Sequence, residues 1–414
     1  MANLGPFPDN PVIAVAVSGG PDSMALVLLM AEWAADKGGK VVALTVDHGL
    51  RAESKSEALQ VGAWLHPYKI DHHILSWTAP KPVSGIQEEA RNARYALMGQ
   101  WCAEHSILYL ALGHQLQDQA ETFLLRVRQG SGLDGLSAMA PVRQTRDVCL
   151  IRPVLGISRD RLIATLMSKG QEFVDDPSNA NSRYERVRMR HLIADLGLSS
   201  EGLFELTQVL GRARKAMEDL VERADSLLVS YHSMGFAVVD GDGLVEAPYA
   251  IGIRVLSRVV QRIGGQPYPP RGDRLDRLYK AQSGTLAGCR VVKKPGNILV
   301  LCRESRGVAP LTPIISGQST VWDGRFVVTA SATCPSGVSV GALGARGWEQ
   351  VKKECSITIP AMIRTTLPAI WIDGELCLVP HLGYKSSQSA CIFVDCHYFS
   401  LEALSYNQAP QPRG

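Results

Sequence analysis

The segment Ser18-Gly19-Gly20-Pro21-Asp22-Ser23 joins an apolar, β-branched run, Val12 to Val17, to a helix-forming stretch from Asp22 to Asp36. Two consecutive glycines let the backbone turn sharply and aim several N–H groups at one point. The start of the helix adds its partial positive charge, and Ser18 and Ser23 add hydroxyl donors. A loop of this make-up takes a phosphate group. It is neither a GxxxxGK[ST] loop, because no lysine follows, nor a GxGxxG turn. Asp22 is the informative member: a carboxylate repels bare phosphate but tolerates it when Mg²⁺ bridges the two. The same residues also suit a tight strand-to-helix turn with a capping Asp. The loop alone leaves both readings open.

A second constellation begins after another apolar run. His114, Asp118 and Glu121 are spaced i, i+4, i+7 and fall on one helical face. One polar face at the mouth of a sheet suits metal binding or base chemistry, and equally a solvated helix whose first-turn Asp complements the dipole. A third feature is the run of arginines at 183, 186, 188 and 190. Arg183, Arg186 and Arg190 share a face, with Arg188 pointing elsewhere. Three guanidinium groups on one face neutralise phosphates, or else form salt bridges with Asp175, Asp176 and Glu185.

These residues need a scaffold. Strand patterns at Val12–Val17, Val41–Val46, Ile70–Ser76 and Ile107–Leu112 alternate with helix patterns at 22–36, 53–64, 86–105 and 116–129. Near-continuous apolar strands, each followed by a helix, make a parallel sheet covered on both faces. The expected class is α/β, with a Rossmann-like sheet over residues 1–198. A helical and mixed domain is expected over 199–310, opening with a helix at Glu201–Ser230, and a small β-rich domain over 311–414. Strand pieces are expected at Arg325–Ala330, Ser356–Ile359 and Leu376–Val379, and a frayed tail at Gln408–Gly414. In parallel sheets ligands bind beyond the carboxyl ends of the strands, where strand order reverses. The loop at Ser18 and the segment at His114 both follow strands.

Composition narrows the class of function. The chain has 414 residues, 46% of them hydrophobic and 20% charged, as in ordinary globular proteins. No apolar stretch reaches the roughly 18 residues of a membrane span, and no secretory signal is visible, so no membrane partner is expected. Nine cysteines without a CxxC pair fit the reducing cytoplasm and argue against a disulfide framework or a zinc ribbon. The net charge of +3 is unremarkable, but 30 of the 43 basic residues are Arg, a mild pointer to an anionic partner that a GC-rich genome would also produce. His66, His72, His73 and His105 lack metal-ligand spacing and read as surface or packing residues. Trp322, Trp348 and Trp371 read as core more readily than as base-stacking platforms, and Cys391 and Cys396 do not form a ligand pair.

The loop SGGPDS resembles the PP-loop of the ATP pyrophosphatase superfamily, which cleaves ATP between its α and β phosphates and transfers AMP. Gly113 to Thr122 resembles the GHxxxDxxET motif of one branch, the tRNA(Ile)-lysidine synthetases. Further segments agree in order: Asp47-His48-Gly49-Leu50-Arg51, Glu89-Ala90-Arg91-Asn92-Ala93-Arg94-Tyr95, Gly130 to Leu136, Arg152-Pro153-Val154-Leu155 as a strand, and Asp175 to Asn179 as a turn. Together these cover residues 12 to 195. There are departures: Gln129 stands where the family commonly has Arg, Val187 replaces an Asn, and His114 is followed by Gln115, so no two-His ligand exists.

The resemblance implies ATP bound at Ser18, Gly19, Gly20, Pro21, Asp22 and Ser23, with Mg²⁺ on Asp22 and Asp118. It implies catalytic roles for Asp22, Asp118, Arg186 and Arg190, and substrate contacts from Arg94, His114 and Glu121. The reaction implied is ligation of free lysine to C2 of the wobble cytidine in the CAU anticodon of tRNA(Ile), through an adenylated intermediate, in the cytoplasm; a homodimer is left open. Two alternatives remain: a PP-loop tRNA cytidine thiolase, for which paired cysteines would be expected, and a non-catalytic RNA-binding protein on a nucleotide-binding fold.

Overall fold

A computed structural model describes residues 1–49, 54–78, 86–145, 147–174, 185–355, 359–387 and 394–398. Several of the sequence expectations lie outside the described residues: Leu50–Arg51, Asp175–Asn179, Arg183, most of Ser356–Ile359, Cys391 and the tail at Gln408–Gly414. The chain divides into two compact units, Met1–Lys215 and Ala216–Gly414.

In the first unit β1 (Val12–Ala16), α1 (Pro21–Ala35), β2 (Lys40–Asp47), α2 (Ser54–Leu65) and β3 (Asp71–Ser76) are followed by α3 (Ile86–Glu104), β4 (Tyr109–Ala111) and α4 (Leu116–Arg128). A short α5 (Leu133–Leu136), β5 (Val142–Gln144), β6 (Cys149–Ile151), α6 (Arg159–Ser168), α7 (Glu185–Asp195) and α8 (Ser200–Leu228) complete the series, α8 running past the boundary at Lys215. The sheet order is β3-β2-β1-β4-β6-β5. All neighbours are parallel except β5, which pairs antiparallel with β6 as an edge. The chain leaves β1 toward β2 and β3, then returns to build β4 on the other side of β1. The order therefore reverses between β1 and β4, which is where a ligand cleft opens in such sheets.

The β1 core residues Ile13, Ala14 and Val15 have no exposed surface, as alternating β-branched side chains buried on both faces require. Helix α1 (PDSMALVLLMAEWAA) is apolar nearly all round, so it must be covered on most sides. Met24, Leu26, Val27 and Leu28 bury against the β1 core, Leu162 and Leu166 of α6, and Val154. Truncating any one of them to Ala costs about 2–5 kcal/mol. Pro21 opens α1 at its first turn, where a missing N–H costs nothing. Arg152 to Leu155 is not a strand as expected: β6 stops at Ile151, and the chain turns at Arg152 with Leu155 N donating to the Arg152 carbonyl. Pro153 stops the strand there because it has no N–H for the ladder.

The second unit pairs β7 (Val229–His232), β8 (Phe236–Asp240), β9 (Gly284–Leu286), β10 (Cys289–Lys294) and β11 (Ile298–Arg303) in an antiparallel sheet, packed against α10 (Tyr249–Gly264) and α11 (Asp273–Ala281), with a short α9 (Gly241–Glu246). Its later part holds β12 (Thr312–Pro313), β13 (Ser319–Trp322), β14 (Phe326–Ala330), β15 (Val338–Ala342), α12 (Gly344–Val351), α13 (Ala361–Arg364), β16 (Pro368–Ile372), β17 (Glu375–Val379), β18 (Tyr384–Lys385) and β19 (Val394–Tyr398). These strands form two further antiparallel sheets. Trp322 lies in the core of this part, and Trp348 and Trp371 pack against a second cluster that includes Leu343, Val351, Ile363 and Leu367. Among the described residues no helix is long and apolar enough to cross a membrane.

Candidate active site

A cleft of about 590 Å³ opens at the carboxyl ends of β1, β2 and β4. Its walls include Ser18, Gly20, Pro21, Asp22 and Ser23 from the first loop, His114 and Asp118 from the second segment, Arg94 from α3, and Arg186 and Arg190 from α7. Two expected site residues do not line it: Gly19 and Glu121.

Gly19 shapes the loop instead of facing the cleft. Its φ is +86°, and a Cβ there would lie 3.0 Å from Val174 and 3.1 Å from Val61. Both the backbone angle and the crowding exclude a side chain. The Gly19 carbonyl accepts from Val174 N at 2.9 Å, which anchors the turn from behind. Ser18 N donates to Ser23 Oγ at 3.1 Å, and that hydroxyl donates to the Gly20 carbonyl at 2.9 Å. The loop is thus folded back onto the first turn of α1, whose N–H groups lack partners within the helix and carry the positive end of its dipole.

Gly113 brings the second segment against the first. A Cβ at Gly113 would meet the backbone of Ser23 at 3.2 Å and of Asp22 at 3.3 Å. Only glycine permits so close a crossing, and the crossing sets His114 and Asp118 beside Asp22. Helix α4 then starts with a reciprocal cap: Gln115 Oε1 accepts from Gln117 N at 2.6 Å, while Asp118 Oδ2 accepts from Gln115 N at 3.1 Å. The family's second His is absent, and Gln115 serves as the cap residue. Asp118 Oδ1 faces Arg186 Nη1 at 3.3 Å.

The electrostatics mark this as an incomplete site. Asp22 Oδ1 is buried without a hydrogen-bond partner. Burial pushes the Asp22 carboxyl up to about 6; Arg159 opposes that shift and the Asp118 charge adds to it. His114 is held neutral: burial, with Arg152, Arg91, Arg186 and Arg94 around it, drives its pKa down to about 3. Its Nδ1 is buried and unpartnered. A group placed here meets a neutral imidazole able to exchange hydrogen bonds, not a cation. Arg94 donates through Nη2 to His48 Nε2 at 3.2 Å, which makes that nitrogen the acceptor.

Glu121 is wholly buried and receives a hydrogen bond from Arg190 Nε at 2.5 Å. Burial pushes its carboxyl upward against the pull of Arg190. Glu121 therefore reaches the cleft only through Arg190, which lines it. On α7 the register is as expected: Arg186 and Arg190 line the cleft, Arg188 is exposed outside it, and Val187 and Met189 are buried.

The residues present fit a magnesium ion. Two carboxylates close enough to repel, one with an orphaned buried oxygen, are a cation's donor set. Among the described residues no three His, Cys, Asp or Glu side chains gather. An ion here would complete its shell with phosphate oxygens and water, as magnesium usually does.

Further residues line the cleft that the sequence does not single out, among them Arg91, Arg159 and Thr45. Arg91 belongs to the Glu89–Tyr95 segment, where nothing local sets it apart as a site residue. Arg159 opens α6, its N–H donating to Gln117 Oε1 at 3.1 Å, and it acts on Asp22. The signal was available: a cation in the first turn of a helix opposes the dipole and needs an anion to justify it. Thr45, on β2, carried no local signal.

A family model described as a PP-loop domain matches residues 2–196. A tRNA(Ile)-lysidine synthase from Ruegeria pomeroyi is 34% identical over 391 residues, spanning 91% of this chain and 90% of that protein. One from Bradyrhizobium sp. is 38% identical over 68% of this chain and 82% of its own length. Another from Wolbachia pipientis wMel is 34% identical over 94% of this chain and 92% of its own. Among solved structures, a U34-tRNA thiolase from Methanococcus maripaludis covers 50% of this chain and 76% of its own at 17% identity, with a TM-score of 0.44. The matches run through both compact units, and the cleft carries the loop and carboxylates on which the resemblance rests: the chain belongs to the tRNA(Ile)-lysidine synthase family.

Proposed function

We propose that the protein uses ATP to ligate free lysine to C2 of the wobble cytidine in the CAU anticodon of tRNA(Ile), in the cytoplasm. The observation that carries this reading is the Gly113 crossing, which places Asp118 and His114 against the first turn of the phosphate loop. An amide-like oxygen such as that on C2 is a poor leaving group, and adenylation makes it a good one. The loop amides and hydroxyls of Ser18 to Ser23 hold the pyrophosphate portion of ATP, and Arg159 adds a cation beside Asp22. Asp22 and Asp118 would hold Mg²⁺, which when bound offsets charge on the departing pyrophosphate. Arg186 and Arg190, braced by Asp118 and Glu121, present fixed guanidinium groups to phosphate. Neutral His114 orients a substrate group by hydrogen bonding. The lysine ε-ammonium must lose a proton before it attacks, and a carboxylate at the cleft, Asp118 or Asp22, is placed to receive it.

Residues 199–310 and 311–414 are proposed to recognise the tRNA outside the anticodon. Arg212 and Lys215 on α8 and Lys294 on β10 are exposed and suit phosphate contacts. Among the described residues no cysteine lines the cleft, which leaves the thiolase reading without a sulfur carrier. The deciding experiment incubates the protein with ATP, labelled lysine and total tRNA, then analyses the nucleosides. Lysidine in isoleucine tRNA is expected. Labelled lysine absent from the RNA would refute the proposal.

A further inference from the structure

His72 looks like an ordinary packing residue in the sequence, yet it begins an unbroken line of hydrogen bonds that ends in the phosphate loop. Strands β3, β2 and β1 lie side by side, with Ala43 opposite His72 and Leu44 opposite Ala16. Thr45 on β2 therefore sits next to Val17, the residue before the loop. Thr45 Oγ1 donates to the Val17 carbonyl at 2.8 Å. His72 Nε2 lies 2.8 Å from the same hydroxyl. A threonine hydroxyl has one proton, and the carbonyl can only accept, so His72 must donate through Nε2–H. That fixes its tautomer.

From Val17 the line continues through the peptide bond itself. The Val17 carbonyl and the Ser18 N–H are two ends of one planar unit, so holding the first aims the second. Ser18 N donates to Ser23 Oγ at 3.1 Å, and Ser23 Oγ donates to the Gly20 carbonyl at 2.9 Å. The hydroxyls of Thr45 and Ser23 each accept one hydrogen bond and donate another, and the Val17–Ser18 peptide accepts at its carbonyl and donates at its N–H, an arrangement that strengthens the series. The ring is backed by α2: a Cβ at Gly62 would lie 2.8 Å from His72 Nδ1, so glycine there lets the helix press close. Thr45 is buried and His72 partly so, which limits the access of water to both bonds.

We propose that His72 is a positioning residue for the phosphate loop, orienting the Val17–Ser18 peptide through Thr45 so that the loop is preset for ATP. The inference rests on the reading of the loop as an ATP site. His72 does not line the cleft; it acts from β3 across β2 to the end of β1.

The test is calorimetric binding of Mg–ATP to the full chain and to its variants, with the Michaelis constant for lysine measured in parallel. His72→Leu removes the donor and is expected to weaken ATP about tenfold, as loss of one buried hydrogen bond can, with the lysine constant unmoved. His72→Gln keeps an N–H donor and recovers most of that loss. Thr45→Val matches His72→Leu, and the double variant is no weaker than either single one, because both break the same line. Gly62→Ala, favoured by helix propensity, pushes the ring aside and also weakens ATP. Nitrogen-15 NMR of the imidazole shows the Nε2–H tautomer in the wild type. Equal effects of Leu and Gln, an additive double variant, an unchanged Gly62→Ala, or parallel loss for ATP and lysine would each overturn the proposal. A wild type that makes lysidine while the variants bind ATP normally sinks only the role of His72; a wild type that neither binds ATP nor makes lysidine sinks the reading of the loop as well.

Discussion

Of the places among the described residues where a carboxylate lies among arginines, Asp323 and Asp22 are finished differently. In the second unit Asp323 accepts from Arg303 Nε at 3.0 Å, Arg303 Nη2 at 2.9 Å, Arg325 Nε at 2.7 Å and Ala309 N at 2.9 Å. Arg325 spends its remaining donors on the Gly235 and Thr366 carbonyls. Burial alone would raise the Asp323 carboxyl, but the Arg303 hydrogen bonds and both guanidinium charges outweigh it and hold the group below the ordinary carboxylate range. In the cleft of the first unit Asp22 keeps an orphaned oxygen, burial pushes its carboxyl up, and Glu121 Oε2 is likewise unpartnered. A network that is fully satisfied joins β-strands; one left short of partners waits for a ligand.

The largest test of that contrast replaces each carboxylate by its amide. Asp22→Asn is expected to cut tRNA-dependent pyrophosphate release by on the order of 100-fold or more, in line with losing a group that holds charge at the reacting phosphate. At the same time it should raise the melting temperature of the metal-free protein near neutral pH. The folded pKa of Asp22, about 6, lies above the value of 3.8 expected without burial. The native state therefore binds the extra proton between those values, and stability is lost as pH rises through that window. Melting curves between pH 5 and pH 7.5 should show wild type falling relative to Asp22→Asn; parallel curves would mean that the carboxyl is not buried as described.

Asp323→Asn should do the reverse. Removing one member of a buried charged network costs about 3–5 kcal/mol. Because the folded pKa is lowered, this contribution is present above the ordinary Asp pKa and is lost as pH falls. Urea unfolding at neutral pH checks it, and a change below about 1 kcal/mol would place Asp323 with weak surface pairs.

Within the cleft, Asp118 and Glu121 are expected to part company. Asp118→Asn should depress pyrophosphate release, since it removes the second carboxylate and loosens Arg186. Glu121→Gln should slow both half-reactions by less, roughly tenfold, because it removes the charge but not the acceptor from the hydrogen bond that braces Arg190. Single-turnover measurement of each half-reaction checks this, and a Glu121→Gln loss in pyrophosphate release as large as that of Asp118→Asn would remove the distinction. Helix α7 holds two of the cleft-lining arginines and the smallest expected effect. Arg186→Ala and Arg190→Ala should lower turnover while shifting the melting temperature by only a few degrees. Arg188→Ala, exposed and outside the cleft, should do least; a larger defect there would point to tRNA contact on the outer face of the helix.

Much of the site could be read in the sequence because its parts are local. The double glycine, the first-turn Asp and the i, i+4, i+7 face each depend on neighbouring residues along the chain. The arginine register on α7 followed from helical spacing, with Val187 and Met189 turned inward. The expected strand at Arg152 failed because an apolar run ending in Pro153 turns instead of pairing, a distinction that depends on tertiary neighbours.

The amino-acid sequence by itself determined the succession of buried strands and helices, the phosphate-binding character of the first loop, and the residue types available for catalysis. Periodicity and glycine chemistry act over a few residues, so they are written locally. The tertiary structure alone decided which of those residues meet. It crossed Gly113 over Ser23 to join two segments far apart in the chain, and set Arg159 of α6 near Asp22. It sealed Glu121 behind Arg190 and lined His72, Thr45 and Val17 across three strands. Such meetings depend on strand order and register, and no spacing in the chain encodes them.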